Sequence, residues 1–167
     1  MLHIESYIIR TKKFSIRDIN NIDEDLFVDV KNIQSLDASA LDYDYLHGAI
    51  CIVYKDKVVL GFKHWDLVDQ LWYYFIDALI QLKSDSKSEF TFPDQPLLVS
   101  IEKKGLDYLT IRIQDSIVHV PSMDFIASMY ESAKTFFDCL LLLFPEKSSD
   151  IQISIDQVAA LKEAYNL

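Results

Sequence analysis

The chain has 167 residues, of which 50% are apolar and 13% aromatic, and its formal net charge at pH 7 is −10. A chain of this size and composition can bury a continuous core, which excludes a disordered protein and predicts a single domain over residues 1–167. Its apolar runs are far shorter than the roughly 20 residues of a membrane-spanning helix. The acidic balance also excludes nucleic acid as the expected partner, because Lys and Arg bind its phosphates.

The first residues and the cysteines predict a cytoplasmic location. Residues 1–6 have neither the basic start nor the apolar stretch of a secretory signal, and an acid already stands at Glu5. Cys51 and Cys139 lie far apart in apolar surroundings, and two cysteines make neither a disulfide framework nor a metal site. We expect both to be buried free thiols.

The first third of the chain has the composition of strands. Ile, Val and Tyr are frequent there, and aliphatic residues often occupy every second position. Strands are predicted at residues 2–10, 14–17, 26–30, 48–54 and 58–62. The last two form a hairpin that is apolar on both faces, which favours a central position in a sheet. Residues 31–47, between the predicted strands 26–30 and 48–54, are polar and predict a long loop.

The rest of the chain alternates helices and strands. An apolar stripe with a period of 3.6 predicts a helix over residues 66–83, with Asp66 as its N-cap. Further strands are predicted at residues 89–92, 97–102, 108–114 and 117–120. A second long helix is predicted after Ser122, Pro145 closes it, and its apolar last turns should be covered. The S-x-x-Q capping box at residues 154–157 predicts the start of a short C-terminal helix.

These elements predict an α+β fold. Short connections between the strands favour antiparallel pairing. The expected architecture is a two-layer sandwich, in which a mainly antiparallel sheet carries two long helices on one face and a short C-terminal helix.

No pattern of catalytic or ligand-binding residues is present in the sequence. The three glycines make no phosphate-binding loop, and the four histidines have neither the spacing nor the flanking carboxylates of a zinc site. No Ser or Cys stands in the context of an activated nucleophile, and Cys139 is surrounded by apolar residues that keep a thiol inert. We therefore predict no catalytic residue, no cofactor and no metal, with His64 beside Asp66 as the most suggestive exception.

Negative charge is concentrated in one segment. Residues 1–17 have a balance of +3, whereas residues 18–47 have a balance of −7. The latter segment mixes carboxylates with phenols, which supply contact area at low entropic cost, while carboxylates attract a basic partner. The candidate partner-binding residues here are Asp37, Asp42, Tyr43, Asp44 and Tyr45. The alternative is a solvated loop whose tyrosines pack against the core.

A second candidate surface lies on the predicted helix 66–83. A polar stripe with helical spacing runs opposite the apolar one, and two further residues flank it. The candidate partner-binding residues are Asp66, Asp69, Gln70, Tyr73 and Asp77. An ordinary solvated helix face is the alternative, and the aromatic side chains favour the binding hypothesis.

The chain resembles a class of small acidic bacterial proteins in size, charge and local sequence. The segments WDLVDQLW at residues 65–72 and FPDQP at residues 92–96 are similar to those of the immunity proteins of polymorphic-toxin and contact-dependent-inhibition systems. This resemblance implies a secreted toxin domain as partner, often a nuclease. The acidic surface would occlude its basic cleft. No functional residue is implied by the resemblance.

The first hypothesis is therefore a non-enzymatic, acidic protein-binding module, acting on a basic protein as a monomer or homodimer. One alternative is a hydrolase or transferase that uses an unfamiliar carboxylate or histidine site near Asp66 or His64. Another is a structural subunit that self-associates through a sheet edge or the apolar helix end.

Overall fold

The computed structural model describes residues 1–167 and confirms the α+β class. The nine strands are β1 Leu2–Ile9, β2 Phe27–Asp29, β3 His47–Tyr54, β4 Lys57–Leu60, β5 Asp66–Leu67, β6 Lys87–Thr91, β7 Leu98–Lys104, β8 Tyr108–Ile113 and β9 Ser116–Pro121. The three helices are α1 Val68–Gln81, α2 Ser122–Leu143 and α3 Ser148–Tyr165. None of these helices combines the length and apolar composition needed to cross a bilayer.

The strands form two antiparallel sheets, so the prediction of one sheet was wrong. The first sheet has the order β2-β1-β3-β4, and the short β5 pairs with β3 on the same side as β4. The second is the predicted meander, β6-β7-β8-β9. Edge strands β4 and β9 lie side by side without a backbone ladder, joined by a 2.9 Å hydrogen bond from the Lys57 ammonium to the Ile117 carbonyl.

Strand β3 is central in its sheet, as its two apolar faces predict. It pairs with β1 on one side and with β4 and then β5 on the other. Gly48 stands where these neighbours converge. A Cβ atom there would lie 2.0 Å from the Tyr7 carbonyl oxygen and 2.9 Å from Val68 Cγ1, so only glycine permits this close packing.

The two long predicted helices are present with their apolar stripes buried. All seven stripe positions of α1 are in the core: Val68, Leu71, Trp72, Phe75, Ile76, Leu79 and Leu82. The predicted cover over the end of α2 is incomplete, because Leu142 is 75% exposed.

The C-terminal helix is longer than predicted. Helix α3 has 18 residues against 14 for α1, and it starts at Ser148 rather than at the capping box of residues 154–157. A 3-10 turn, Pro145–Lys147, leads directly into it. Ser154 therefore lies inside the helix and caps nothing.

Helices α1 and α3 run parallel to each other. The side chain of Tyr43 lies near the first turns of both helices, at Asp69 and Asp150. At the other end, the Tyr165 hydroxyl of α3 donates a 2.7 Å hydrogen bond to the Leu79 carbonyl of α1. One cluster of 37 buried residues joins all three helices to the inward faces of both sheets. The helices thus present two N-termini at one end of the molecule.

The opposite face of the first sheet is covered by residues 10–26, which form no strand, so the strand predicted at residues 14–17 was wrong. We call this segment the strap. Its residues Phe14, Ile16, Ile22 and Leu26 pack over Ile9, Phe27 and Ala49 as a second, small apolar cluster. Burial of these four side chains explains the apolar content that suggested a strand, because a segment can bury such residues without pairing.

Candidate functional site

The acidic segment folds as a series of short capped turns. In each, an Asp carboxylate accepts a hydrogen bond of 2.8–3.1 Å from the backbone N–H two residues later. The capping residues are Asp18, Asp23, Asp29, Asp37 and Asp42. Aspartate is favoured at such positions because its short carboxylate reaches a backbone donor. The local fold therefore accounts for much of the aspartate content of residues 18–47. The capping carboxylates are spread along the chain from the strap to the start of β3.

Two predicted binding residues are among these caps. Asp37 is exposed and caps the turn Ala38–Ala40, and hydrogen bonds from the Ser39 hydroxyl and N–H lower the pKa of its carboxyl. Asp42 is half-buried and caps the turn Tyr43–Tyr45 through the Asp44 N–H, at 3.1 Å. Each orders a turn of the backbone beside the neighbouring tyrosines.

Asp66 is not a surface residue, and its prediction as a binding residue and helix N-cap was wrong. It is 1% exposed, and α1 begins two residues later without a side-chain cap. Its carboxylate accepts hydrogen bonds from the N–H groups of Leu67, Asp94 and Gln95, at 2.7–3.2 Å. The Gln95 side-chain amide donates to the Trp65 carbonyl. Asp66 therefore fixes the loop between β6 and β7 to the start of α1.

His64, the other member of the alternative catalytic site, is committed to the backbone in the same way. It is 6% exposed, and its Nδ1 accepts a 3.1 Å hydrogen bond from the Gly61 N–H. Burial, with a smaller effect from Lys63, lowers its pKa. A buried, neutral imidazole that orders a turn has no open access to substrate.

The outer stripe of α1 is only partly open. Tyr73 is 37% exposed, whereas Gln70 and Asp77 are half-buried. The Asp77 carboxylate accepts a 2.7 Å hydrogen bond from the Gln81 side-chain amide one turn later. Since this interaction is internal to the helix, Asp77 is a weaker candidate for partner contact than Tyr73.

The two predicted surfaces meet at Tyr43. Its phenol is half-buried and lies edge-on to Phe144, with ring centroids 5.3 Å apart. Burial first, and then the carboxylates of Asp69, Asp150 and Asp44, raise the pKa of Tyr43 to about 12. Beside it, Tyr45 is 63% exposed. We call this group, Tyr43, Asp44, Tyr45, Asp69 and Asp150, the carboxylate–tyrosine patch.

Asp69 is the most perturbed carboxylate of the molecule. Burial, opposed only by hydrogen bonds from the N–H groups of Gln70 and of Asp69 itself, raises the pKa of Asp69 to about 6. No Lys, Arg or His nitrogen lies within 4.0 Å of it. The cation nearest the patch is Lys147, whose ammonium is 4.0 Å from Asp44 and 5.1 Å from the centre of the Tyr43 ring.

Three residues of this neighbourhood escaped the sequence reasoning: Phe144, Lys147 and Asp150. Phe144 and Lys147 belong to the connection between α2 and α3, and Asp150 lies in the first turn of α3, far along the chain from the acidic segment. The signal that could have found Asp150 is the run of Ser148, Ser149 and Asp150 after Pro145, which is typical of a helix start. Nothing in the sequence places that start beside residues 43–45.

The cysteines are free and half-buried, and burial raises the pKa of both thiols, that of Cys51 to about 12. No three His, Cys, Asp or Glu side chains converge at metal-binding distance. The comparisons with known protein families, curated proteins and solved structures gave no match to the chain.

Proposed function

We propose that the protein is a non-enzymatic binding module that captures a basic protein on the carboxylate–tyrosine patch. The observation that carries the proposal is Asp69, a desolvated carboxylate without a basic partner, whose charge acts on the phenol of Tyr43 next to the exposed Asp44 and Tyr45. A Lys or Arg of a partner would supply the missing counter-charge. Perturbed carboxylates of this kind concentrate at functional sites because their cost to the fold needs a compensating use.

The helix termini alone do not explain this arrangement. Acids in the first turn of a helix are favourable, since they face the positive end of the helix dipole, and both Asp69 and Asp150 occupy such positions. A dipole interaction, however, would favour the ionised form. The pKa of Asp69 is nevertheless raised, with burial as the largest cause, so its position at a helix start does not account for the state of this carboxylate.

Charge and apolar contact would contribute to different steps of partner binding. The exposed carboxylates of Asp44 and Asp150 would speed encounter with a basic surface, in a salt-sensitive way. Tyr45 and the partly exposed Tyr73 would supply the apolar contact that slows dissociation. A partner side chain that reaches Asp69 would form the most strongly desolvated ion pair of the interface.

Matched charge variants test this site. One variant combines Asp44→Asn, Asp69→Asn and Asp150→Asn in the patch. The control combines Asp18→Asn, Asp23→Asn and Asp25→Asn in the strap, so both variants lose three charges from a protein of net −10. Asn retains the side-chain oxygen that caps the strap turns.

The measurement is binding of a fluorescein-labelled nona-arginine peptide by stopped-flow and anisotropy, between 50 and 300 mM salt. We expect the patch variant to bind about tenfold more weakly, mainly through slower association, and the control to change about twofold. Equal losses in the two variants would show that the peptide detects net charge alone and would remove the patch from the proposal.

We propose, more specifically, an immunity protein that neutralises a basic toxin domain in the cytoplasm, acting as a monomer or homodimer, with its helices and sheets as the two layers of a sandwich. Its small acidic chain and its patch support this role.

A growth assay tests the proposed immunity function. Co-expression of the wild type with a growth-inhibiting basic domain encoded beside it should restore growth, and the patch variant should not. Equal protection by the patch variant would contradict the assignment of the site.

A further inference from the structure

A second surface lies at the opposite end of the α1–α3 pair. There the end of α1, the turn between β7 and β8, the start of α2 and the end of α3 enclose a cavity of about 440 Å³. This volume lies within the range of small-molecule sites. Leu82, Leu109 and Ile126 form its buried apolar floor, and Tyr165 forms one wall.

Two lysines converge at this cavity without a carboxylate partner. The Lys103 ammonium lies 3.5 Å from the Lys83 carbonyl oxygen, and the Lys83 ammonium lies 5.0 Å from the centre of the Tyr165 ring. No Asp or Glu oxygen lies within 4.0 Å of either ammonium. Lys83 and Lys103 belong to the exposed lysines that no carboxylate pairs, and an anion at the cavity would supply their counter-charge.

The rim of the cavity is apolar and uncovered. Leu106, at the turn between β7 and β8, is 98% exposed, and Met123 in the first turn of α2 is 50% exposed. Gly105, with φ of +68°, sets the turn that projects Leu106 into solvent. Apolar side chains at the mouth of an apolar cavity suit a ligand whose body is also apolar.

Acids are present at the cavity as well, on its α2 side. Asp107 lies in the β7–β8 turn, and Asp124 lies in the first turn of α2. Helix α2 begins without a side-chain cap, so its free N–H groups face the charge of Asp124. On the lysine side, the Lys83 carbonyl and the Tyr165 ring offset part of the positive charge, and neither carries a full negative charge.

We propose that this cavity binds an amphipathic anion, with its apolar body on Leu82, Leu109 and Ile126 and its carboxylate, sulfate or phosphate head between Lys83 and Lys103. The site is independent of the carboxylate–tyrosine patch. It assigns to the protein a small-molecule ligand in addition to a protein partner.

The probe is decanoate, measured by titration calorimetry below its micelle concentration and compared with decyltrimethylammonium, which has the same chain and the opposite charge. We expect one decanoate per chain, and binding of the cationic amphiphile at least about tenfold weaker. The double variant Lys83→Gln/Lys103→Gln should weaken decanoate binding about tenfold. The control Lys12→Gln/Lys13→Gln removes two exposed lysines of the strap and should leave it unchanged.

The apolar part has its own matched pair. Leu106→Ser should weaken decanoate binding about threefold, because contact with the acyl chain is lost. Leu142→Ser removes a leucine of α2 that is 75% exposed and lies outside the cavity, and should have no effect. The proposal is overturned if decanoate fails to bind, if the cationic amphiphile binds equally well, or if the control variants lose as much affinity as the cavity variants.

Discussion

The two ends of the α1–α3 pair differ in charge and in how that charge is held. At the N-terminal end, Asp69 and Asp150 lie near the phenol of Tyr43, and Asp69 is desolvated. At the C-terminal end, Lys83 lies over the ring of Tyr165 beside an apolar cavity. Acids at helix N-termini and bases at C-termini are the ordinary arrangement for stability. The signs of the charges therefore carry little functional information, and their surroundings carry more.

Two aspartates at the acidic end illustrate this point. Asp66 is the more deeply buried, but backbone N–H groups at 2.7–3.2 Å satisfy its carboxylate. Asp69, three residues later, has only local donors and no cation. The first has a structural role and the second has no such partner within the fold, a difference that only the hydrogen-bond geometry reveals.

The largest effect is expected at Asp66. Asp66→Ala should lower the free energy of unfolding by about 3 kcal/mol, because it leaves the buried N–H of Leu67 and the partly buried N–H groups of Asp94 and Gln95 without an acceptor. Urea denaturation followed by circular dichroism measures this loss. Asp25→Ala, at an exposed carboxylate of the strap, is the control and should change stability by less than about 0.5 kcal/mol. Equal losses would remove the structural role of Asp66.

Asp69 should behave in the opposite way. Its folded pKa of about 6 exceeds the ordinary aspartate value of 3.8, so the folded state binds the proton more tightly. The fold is thus favoured at low pH, and this contribution is lost as the pH rises from about 4 to about 6. Asp69→Asn removes the cost of the ionised form, and we expect it to stabilise the protein by about 1–2 kcal/mol at pH 8.

The measurement is urea denaturation of the wild type and Asp69→Asn at pH 4 and pH 8. The gain should be absent at pH 4, where the wild-type carboxyl is already protonated. Asp77→Asn, on the same helix, should show no comparable pH dependence. A gain of the same size at both pH values would contradict the desolvation of Asp69.

Much of the fold could be predicted from periodicity. The stripe of α1 and the alternation in β3 depend on the burial of one or both faces, and burial leaves a regular pattern in the sequence. The strap left no such pattern, because Phe14, Ile16 and Ile22 pack without pairing. The division into two sheets escaped for a similar reason: the β3–β4 hairpin is local and was predicted, but the pairing of β3 with β1 and β5 is a longer-range property that no local signal records.

The candidate site was predictable only in part. The mixture of Tyr43, Asp44 and Tyr45 is visible in the sequence, and the structure brings Tyr43 close to Asp69. The contributions of Phe144, Lys147 and Asp150 depend on how α3 docks against α1. The sequence also gave Asp66 and Asp69 the same interpretation, since both are acids near the start of a helix. Their different burial follows from the β6–β7 loop, which is distant in sequence.

A smaller effect is expected at the C-terminal end of the pair. Tyr165→Phe removes the hydroxyl that donates to the Leu79 carbonyl at 2.7 Å, while the ring stays in place. We expect a loss of about 1 kcal/mol in unfolding free energy and faster hydrogen exchange in the last turns of α3. Tyr108→Phe, at a 48% exposed ring, is the control and should leave both unchanged. Unaltered exchange in Tyr165→Phe would show that other contacts hold this end of the pair.

The smallest effect on stability is expected at Lys147. Substitution of this lysine is informative instead about binding at the acidic end. Its side chain is 36% exposed and its ammonium is 4.0 Å from Asp44, so Lys147→Met should change the unfolding free energy by less than about 0.5 kcal/mol. The same change removes the cation that competes for the patch. It should therefore strengthen nona-arginine binding about twofold.

Lys134→Met is the matched control, because Lys134 forms an exposed pair with Asp138 at 2.6 Å on α2, away from the patch. It makes the net charge more negative by the same unit. If both variants strengthen binding equally, the peptide responds to overall charge. A gain confined to Lys147→Met would show that the carboxylates around Tyr43 act as a local site whose own lysine limits its affinity.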